Sequence, residues 1–131
     1  MAFFEQLFNL TGKITAITGS AGFLCSEMAL GFHRAGCSVV LMDSDIVVAK
    51  TVAEKIKDDG GKALALKMDV SCKQDFEHCL EKILDEFGKV EVLINGAGIN
   101  APTPFLDISE DEWDRILAVH LKGTMFGCQV F

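Results

Sequence analysis

The chain has no tyrosine, although it has ten phenylalanines. It carries no phenol, so proton transfer by its own residues has to use another group. Proline is scarce as well: Pro102 and Pro104 are the two, and both fall in one short stretch that reads as a loop. There is no cluster of basic residues. Twelve Lys and Arg against 19 Asp and Glu give a net charge of −7, which argues against nucleic acid and anionic membrane surfaces as partners. No run is long and apolar enough to cross a membrane. The start, Met1 to Phe8, has no basic segment and carries Glu5, so it does not read as a secretory signal. Its phenylalanines are expected to cover a sheet edge or a partner. No two cysteines form C-x-x-C. The five (Cys25, Cys37, Cys72, Cys79 and Cys128) are odd in number and fit reduced, mostly buried thiols in the cytoplasm. Cys72, His78 and Cys79 are close in sequence but lack a fourth ligand, so no metal site is expected.

What is present suits one domain, or part of one. Half of the residues are hydrophobic and 24% are charged, enough to fill a core. Lys13 to Thr18 reads as a buried strand, and Gly22 to about Ala35 as a helix with Leu24, Met28, Gly31, Phe32 and Ala35 on one stripe. Cys37 to Met42 is a second apolar strand ending at Asp43, followed by a helix over Ile46 to Asp59. Lys62 to Met68 gives a third strand ending at Asp69-Val70. Ser71 and Gln74 then form a capping box for a helix with Phe76, Cys79, Leu80, Ile83, Leu84 and Phe87 on its apolar face. Val90 to Ile94 is a fourth strand, running into Asn95-Gly96-Ala97-Gly98. After the proline loop, Ser109 and Glu112 form another capping box, and a single helix runs to Phe131. Strands and helices alternate with short connections, which predicts a doubly wound parallel sheet in the order 3-2-1-4.

The site residues gather at the strand ends. The turn Gly19-Ser20-Ala21-Gly22, followed by Phe23 and Leu24, joins a strand to a helix start. Glycines there let backbone approach a pyrophosphate while free N–H groups point at it. Asp43, at the end of the second strand, is placed to accept hydrogen bonds from an adenosine ribose and to repel a 2′-phosphate, which favours NAD over NADP. Asp69 and Val70 would meet the adenine. The small residues Asn95, Gly96, Ala97 and Gly98 would let the centre of a cofactor lie against backbone. These strand ends share one sheet edge, and that coincidence makes the glycine turn significant.

Together these residues resemble the short-chain dehydrogenase/reductases over essentially the whole chain. Phe8-Asn9-Leu10-Thr11-Gly12-Lys13 looks like that family's approach to its first strand. TGSAGFL is similar to the family's T-G-x-x-x-G-x-G, and closer to a T-G-G-x-G-V-L-G variant among sugar-acid oxidoreductases of the D-mannonate oxidoreductase type. Asp69-Val70 matches the family's D-V pair. LINGAG matches N-N-A-G with Gly96 at the second Asn, and His120-Leu121-Lys122-Gly123 matches N-x-x-G with His120 at the Asn.

The resemblance implies the cofactor-binding first half of a Rossmann-type NAD(P)-dependent oxidoreductase, acting on a small alcohol or ketone and commonly self-associating. It also implies a catalytic Tyr-x-x-x-Lys, which is absent. Residues 1–131 are thus expected to form a dinucleotide-binding domain that stops before the catalytic segment and is inactive alone. The alternative is a non-catalytic binding module or a truncated remnant. His120 stands at a catalytic position, and Cys25 adds a side chain where close helix–strand packing is wanted.

Overall fold

The computed structural model describes residues 2–131. The order is α1 (Phe3–Phe8), β1 (Ile14–Thr18), α2 (Phe23–Arg34), β2 (Ser38–Asp43), α3 (Ile46–Asp58), β3 (Ala63–Lys67), α4 (Lys73–Phe87), β4 (Val92–Asn95), α5 (Glu110–Leu117) and α6 (Gly123–Val130). The four strands form one parallel sheet in the order β3-β2-β1-β4, as the alternation predicts.

Side-chain alternation along the strands divides the core. Ile17, Val39 and Leu41 face α2 and α3. Ile14, Ala16, Val40 and Met42 face the other way, toward Phe76, Cys79 and Ile83 of α4, with Phe126 and Val130 of α6 packed behind. Each large apolar side chain so buried contributes about 1.5–3 kcal/mol. The register levels the carboxyl ends, with Thr18 beside both Met42 and Asn95. That places the glycine turn, Asp43 and the Asn95–Gly98 turn on one edge.

Five local expectations are corrected, the last of them in part. Cys25 and Ala29 are the buried residues of α2, while Leu24 is 70% exposed. Small residues let the helix lie close to the sheet, and its first turn faces the open edge instead of the core. The capping box at Ser71 does not form. The helix starts one residue later, with Cys72 as the N-cap and no side-chain bond, and the Ser71 hydroxyl donates to Asp69 Oδ1 at 2.7 Å. The phenylalanines of α1 cover no sheet edge: Phe3, Phe4 and Phe8 are each at least 68% exposed. The last helix is not uniform, since residues Ala118–Lys122 form a π-helical turn between α5 and α6. Such turns widen a helix locally and often lie at functional sites. The second capping box is half made: Ser109 Oγ accepts from the Glu112 N–H at 3.2 Å, but the Glu112 carboxylate takes the Thr103 hydroxyl at 3.1 Å.

Candidate functional site

A cleft of about 480 Å3 opens at the carboxyl ends of the strands. It is lined by Gly19, Gly22, Phe23 and Leu24 from the first turn, Asp43 from β2, Asp69 and Val70 beyond β3, and Gly96, Ala97 and Gly98 beyond β4. Ten of the residues read from the sequence as cofactor-binding therefore meet in one place.

The glycine turn is built by close approach. Gly19 has φ +69°, and a Cβ there would come within 2.6 Å of Ala97 Cα, so the two turns touch backbone to backbone. Gly22 caps α2 without a side chain, which leaves the N–H groups of the first helical turn facing the cleft. Phe23 and Leu24, 86% and 70% exposed, flank that opening. Ser20 is fully buried, outside the cleft lining, and its hydroxyl has no partner among the described residues. The start of a twelve-residue helix with no side-chain cap, beside a cradle that a Cβ would fill, fits a bound phosphate group.

Asp43 is engaged within the chain itself. Its Oδ2 accepts the Ala21 N–H and its Oδ1 the Asp45 N–H, each at 2.8 Å. One carboxylate thus holds the glycine turn against the start of α3. It also acts on Cys25, whose thiol is pushed above its ordinary pKa by burial and then by the Asp43 charge. Asp69 is held below the usual carboxylate range by the Ser71 hydroxyl and then by the Ser71 N–H, which donate at 2.7 and 2.9 Å.

Besides Ser20, two more expected residues lie elsewhere. Asn95 does not line the cleft. Its amide faces α6, with Nδ2 3.8 Å from Cys128 Sγ, and Gly127 leaves the room for it. His120, in the π-helical turn, sits behind the cleft wall. Its Nε2 is 3.0 Å from the Ile99 nitrogen and 2.8 Å from the Ile99 oxygen. Unprotonated, Nε2 accepts from that N–H; protonated, it donates to that carbonyl; it cannot do both at once. Gly98 makes the approach possible, since a Cβ there would lie 2.7 Å from His120 Cε1. Ile99 itself lines the cleft.

Thr18 is the functional residue that the sequence reading passed over. It is 1% exposed, and its hydroxyl accepts the Gly96 and Ala97 N–H groups at 3.1 and 3.2 Å. It ties the end of β1 to the turn after β4. A buried threonine at the last position of an apolar strand, just before a glycine, was the available signal.

A family model described as short chain dehydrogenase matches residues 13–131. Among curated relatives, a diacetyl reductase [(S)-acetoin forming] of Staphylococcus epidermidis is 36% identical over 117 residues, 89% of this chain and 46% of its own. A 2-dehydro-3-deoxy-D-gluconate 5-dehydrogenase of Dickeya dadantii is 37% identical over 122 residues, 93% of this chain and 47% of its own. Among solved structures, a Haemophilus influenza chain provisionally assigned as a D-mannonate oxidoreductase, with bound NAD, superposes with TM-score 0.89 at 28% identity, covering 98% of this chain and 52% of that one. The chain spans about half the length of each of these relatives. With the 3-2-1-4 sheet and the glycine turn at its open edge, the match places this chain in the short-chain dehydrogenase family.

Proposed function

We propose that this chain is the dinucleotide-binding half of an oxidoreductase that interconverts a small alcohol and ketone, possessing NAD as its preferred cofactor. The cleft carries this reading: the glycine turn, Asp43 and the Gly96–Gly98 turn converge there from three strand ends. When bound, a nicotinamide dinucleotide supplies or accepts the hydride.

The roles follow from position. The N–H groups at the start of α2 and the backbone of Gly19 and Gly22 hold the pyrophosphate, with Ser20 supporting the turn from behind. Phe23 and Leu24 screen it from water. Asp43 takes the adenosine ribose while keeping its grip on Ala21, and its charge disfavours a 2′-phosphate. Asp69 and Val70 border the adenine. Gly96, Ala97 and Gly98 give the cofactor a flat backbone surface. We assign His120 a positioning role through Ile99, and Asn95 the same role through α6.

The chemistry also needs an acid or base beside the reacting carbonyl. Without a tyrosine, residues 1–131 supply none in the family's manner, so this segment is expected to bind cofactor without turnover. The substrate is a small alcohol or ketone, with a sugar acid suggested by the TGSAGFL turn and by the Dickeya relative. A homo-oligomer and a cytoplasmic location belong to the same proposal, supported by the exposed Trp113 and Met125 and by the five free cysteines.

A second reading, a binding module that never catalyses, is favoured by the missing tyrosine and by His120 at the family's Asn position. Calorimetric titration of the 131-residue chain with NAD and NADP tests the first reading. Binding of NAD, tighter than NADP and weakened by Asp43→Ala, is expected; no binding of either overturns it. NADH-linked turnover by the 131-residue chain, removed by a substitution within it, would overturn the expectation of inactivity.

A further inference from the structure

One ring nitrogen of His120 meets both backbone polar groups of Ile99. Nε2 lies 3.0 Å from the Ile99 nitrogen and 2.8 Å from the Ile99 oxygen. An amide side chain could serve the two together, one end accepting and the other donating. A single nitrogen serves one at a time. The ring has little room to choose by moving. Gly98 lies so close that a Cβ there would be 2.7 Å from Cε1, and the Thr124 hydroxyl donates to the His120 carbonyl at 2.7 Å. Gly123, just after the π-helical turn, is pressed against Val70, where a Cβ would come within 3.0 Å. The choice between the two bonds is therefore made by the proton.

Three states follow. With its proton on Nδ1, the neutral ring leaves Nε2 bare, and Nε2 accepts the Ile99 N–H. With that proton on Nε2, or with both nitrogens protonated, Nε2 donates to the Ile99 carbonyl and the N–H loses its acceptor. The cation has only the second arrangement, and a charged donor makes the stronger bond. The two bonds act on different peptides. The N–H belongs to the peptide shared with Gly98, continuous with the Gly96–Gly98 wall of the cleft, whereas the carbonyl belongs to the peptide leading on to Asn100. His120 is exposed, so protons reach it from solvent. Few charges compete for the ring. Residues 96–106 have no titratable side chain, and one turn away along the helix stand Ile116, Leu117, Gly123 and Thr124. The titratable residue nearest along the chain is Arg115 on α5 and Cys128 on α6. The charged neighbours are Lys122, in the same turn, and Asp69, which feels the Lys122 charge.

We propose that His120 is a proton-operated latch on the cleft wall. Neutral, it holds the Ile99 N–H and steadies the Gly96–Gly98 surface. Protonated, it passes to the Ile99 carbonyl and lets that surface loosen, so that cofactor binds less tightly on the acid side. The effect on cofactor rests on the dinucleotide reading of the cleft; the exchange of bonds at Ile99 does not.

The test follows the His120 ring and the Ile99 amide by nitrogen-15 NMR of the 131-residue chain from about pH 5 to 8, the range in which imidazoles change charge. Above the ring's titration, a bare Nε2 and a protected Ile99 amide are expected. Below it, Nε2 carries a proton, and exchange of the amide, corrected for its intrinsic pH dependence, should speed up about threefold to tenfold, the scale of one hydrogen bond. NAD affinity measured by calorimetry should fall by a similar factor over the same range. Saturating NAD should in turn move the ring's titration to lower pH, because the two equilibria are linked. In His120→Asn the pH dependence of both the amide and the affinity should vanish. A neutral ring with its proton on Nε2, or an amide equally protected on both sides of the titration, overturns the latch. An NAD affinity that is flat, that rises on the acid side, or that falls equally in His120→Asn overturns its effect on cofactor. If NAD binds at no pH, the dinucleotide reading fails, and the ring and the amide still decide the latch.

Discussion

The thiol of Cys25 occupies the space into which a side chain at residue 96 would project. A Cβ on Gly96 would meet Cys25 Sγ and also come within 2.8 Å of the Thr18 carbonyl, while the thiol itself donates to the Gly96 carbonyl at 3.7 Å. In sequence these are two separate departures from the family pattern, a cysteine for a glycine and a glycine for an asparagine. In space they are one contact, in which the larger residue on α2 is matched by the smaller one after β4.

This pairing predicts coupling. Gly96→Ala should cost about 1–3 kcal/mol, the usual scale of overpacking. In a Cys25→Gly background the cost should fall by at least about 0.5 kcal/mol, because one of the two obstructing groups is gone. Part remains, because the Thr18 carbonyl is backbone. Urea denaturation of the four proteins gives the cycle, and strict additivity would refute the pairing.

Asp43 should affect two things at once. Asp43→Ala removes the proposed ribose acceptor and also the acceptor of the Ala21 N–H, so NAD binding should weaken by more than about tenfold. Hydrogen exchange at the Ala21 amide should speed up even without cofactor. Weakened binding with unchanged exchange would mean that the carboxylate serves the ribose alone.

Replacing His120 tests a tether. His120→Ala should release Ile99, read as faster exchange of its amide, with a loss of NAD affinity of severalfold. His120→Asn, whose amide carries both a donor and an acceptor, should restore much of both. If the two variants behave alike, the tether through Ile99 is not what His120 contributes.

Glu91 should contribute to stability on the acid side, at the start of the sheet. Lys89 and the Ile14 N–H, both donating at 2.8 Å, hold its carboxyl down to about 2 from an ordinary 4.5. A carboxyl lowered on folding stabilises the native state fully above its unfolded pKa, and that contribution is lost as pH falls from about 4.5 toward 2. Glu91→Gln should flatten this part of the pH–stability curve. A variant curve parallel to the wild type over that window would rule Glu91 out.

The order of strands and helices was legible in the sequence because it is written in local chemistry. Continuous apolar runs mean strands buried on both faces, and Phe76, Cys79, Ile83 and Phe87 mark the inner face of α4 at helical spacing. Glycines and carboxylates at strand ends are local as well, and ten of the expected residues share the cleft for that reason. What was misread depends on neighbours far away in the chain. Which side of α2 is buried follows from how closely it lies on β1 and β2, and Asn95 turns from the cleft toward Cys128 of α6.

The sequence by itself determined the fold class, the sheet order, the edge on which the site lies and the lack of a tyrosine to act there, since each follows from residue type, period or handed connection. Only the tertiary structure decided that Asp43 grips the glycine turn, that His120 holds Ile99 from behind, that Thr18 joins two strand ends, and that Cys25 and Gly96 fit one another. Those relationships join residues from 21 to 79 positions apart. Contacts of that range come from the right-handed crossovers that bring strand ends together, and no local pattern records them.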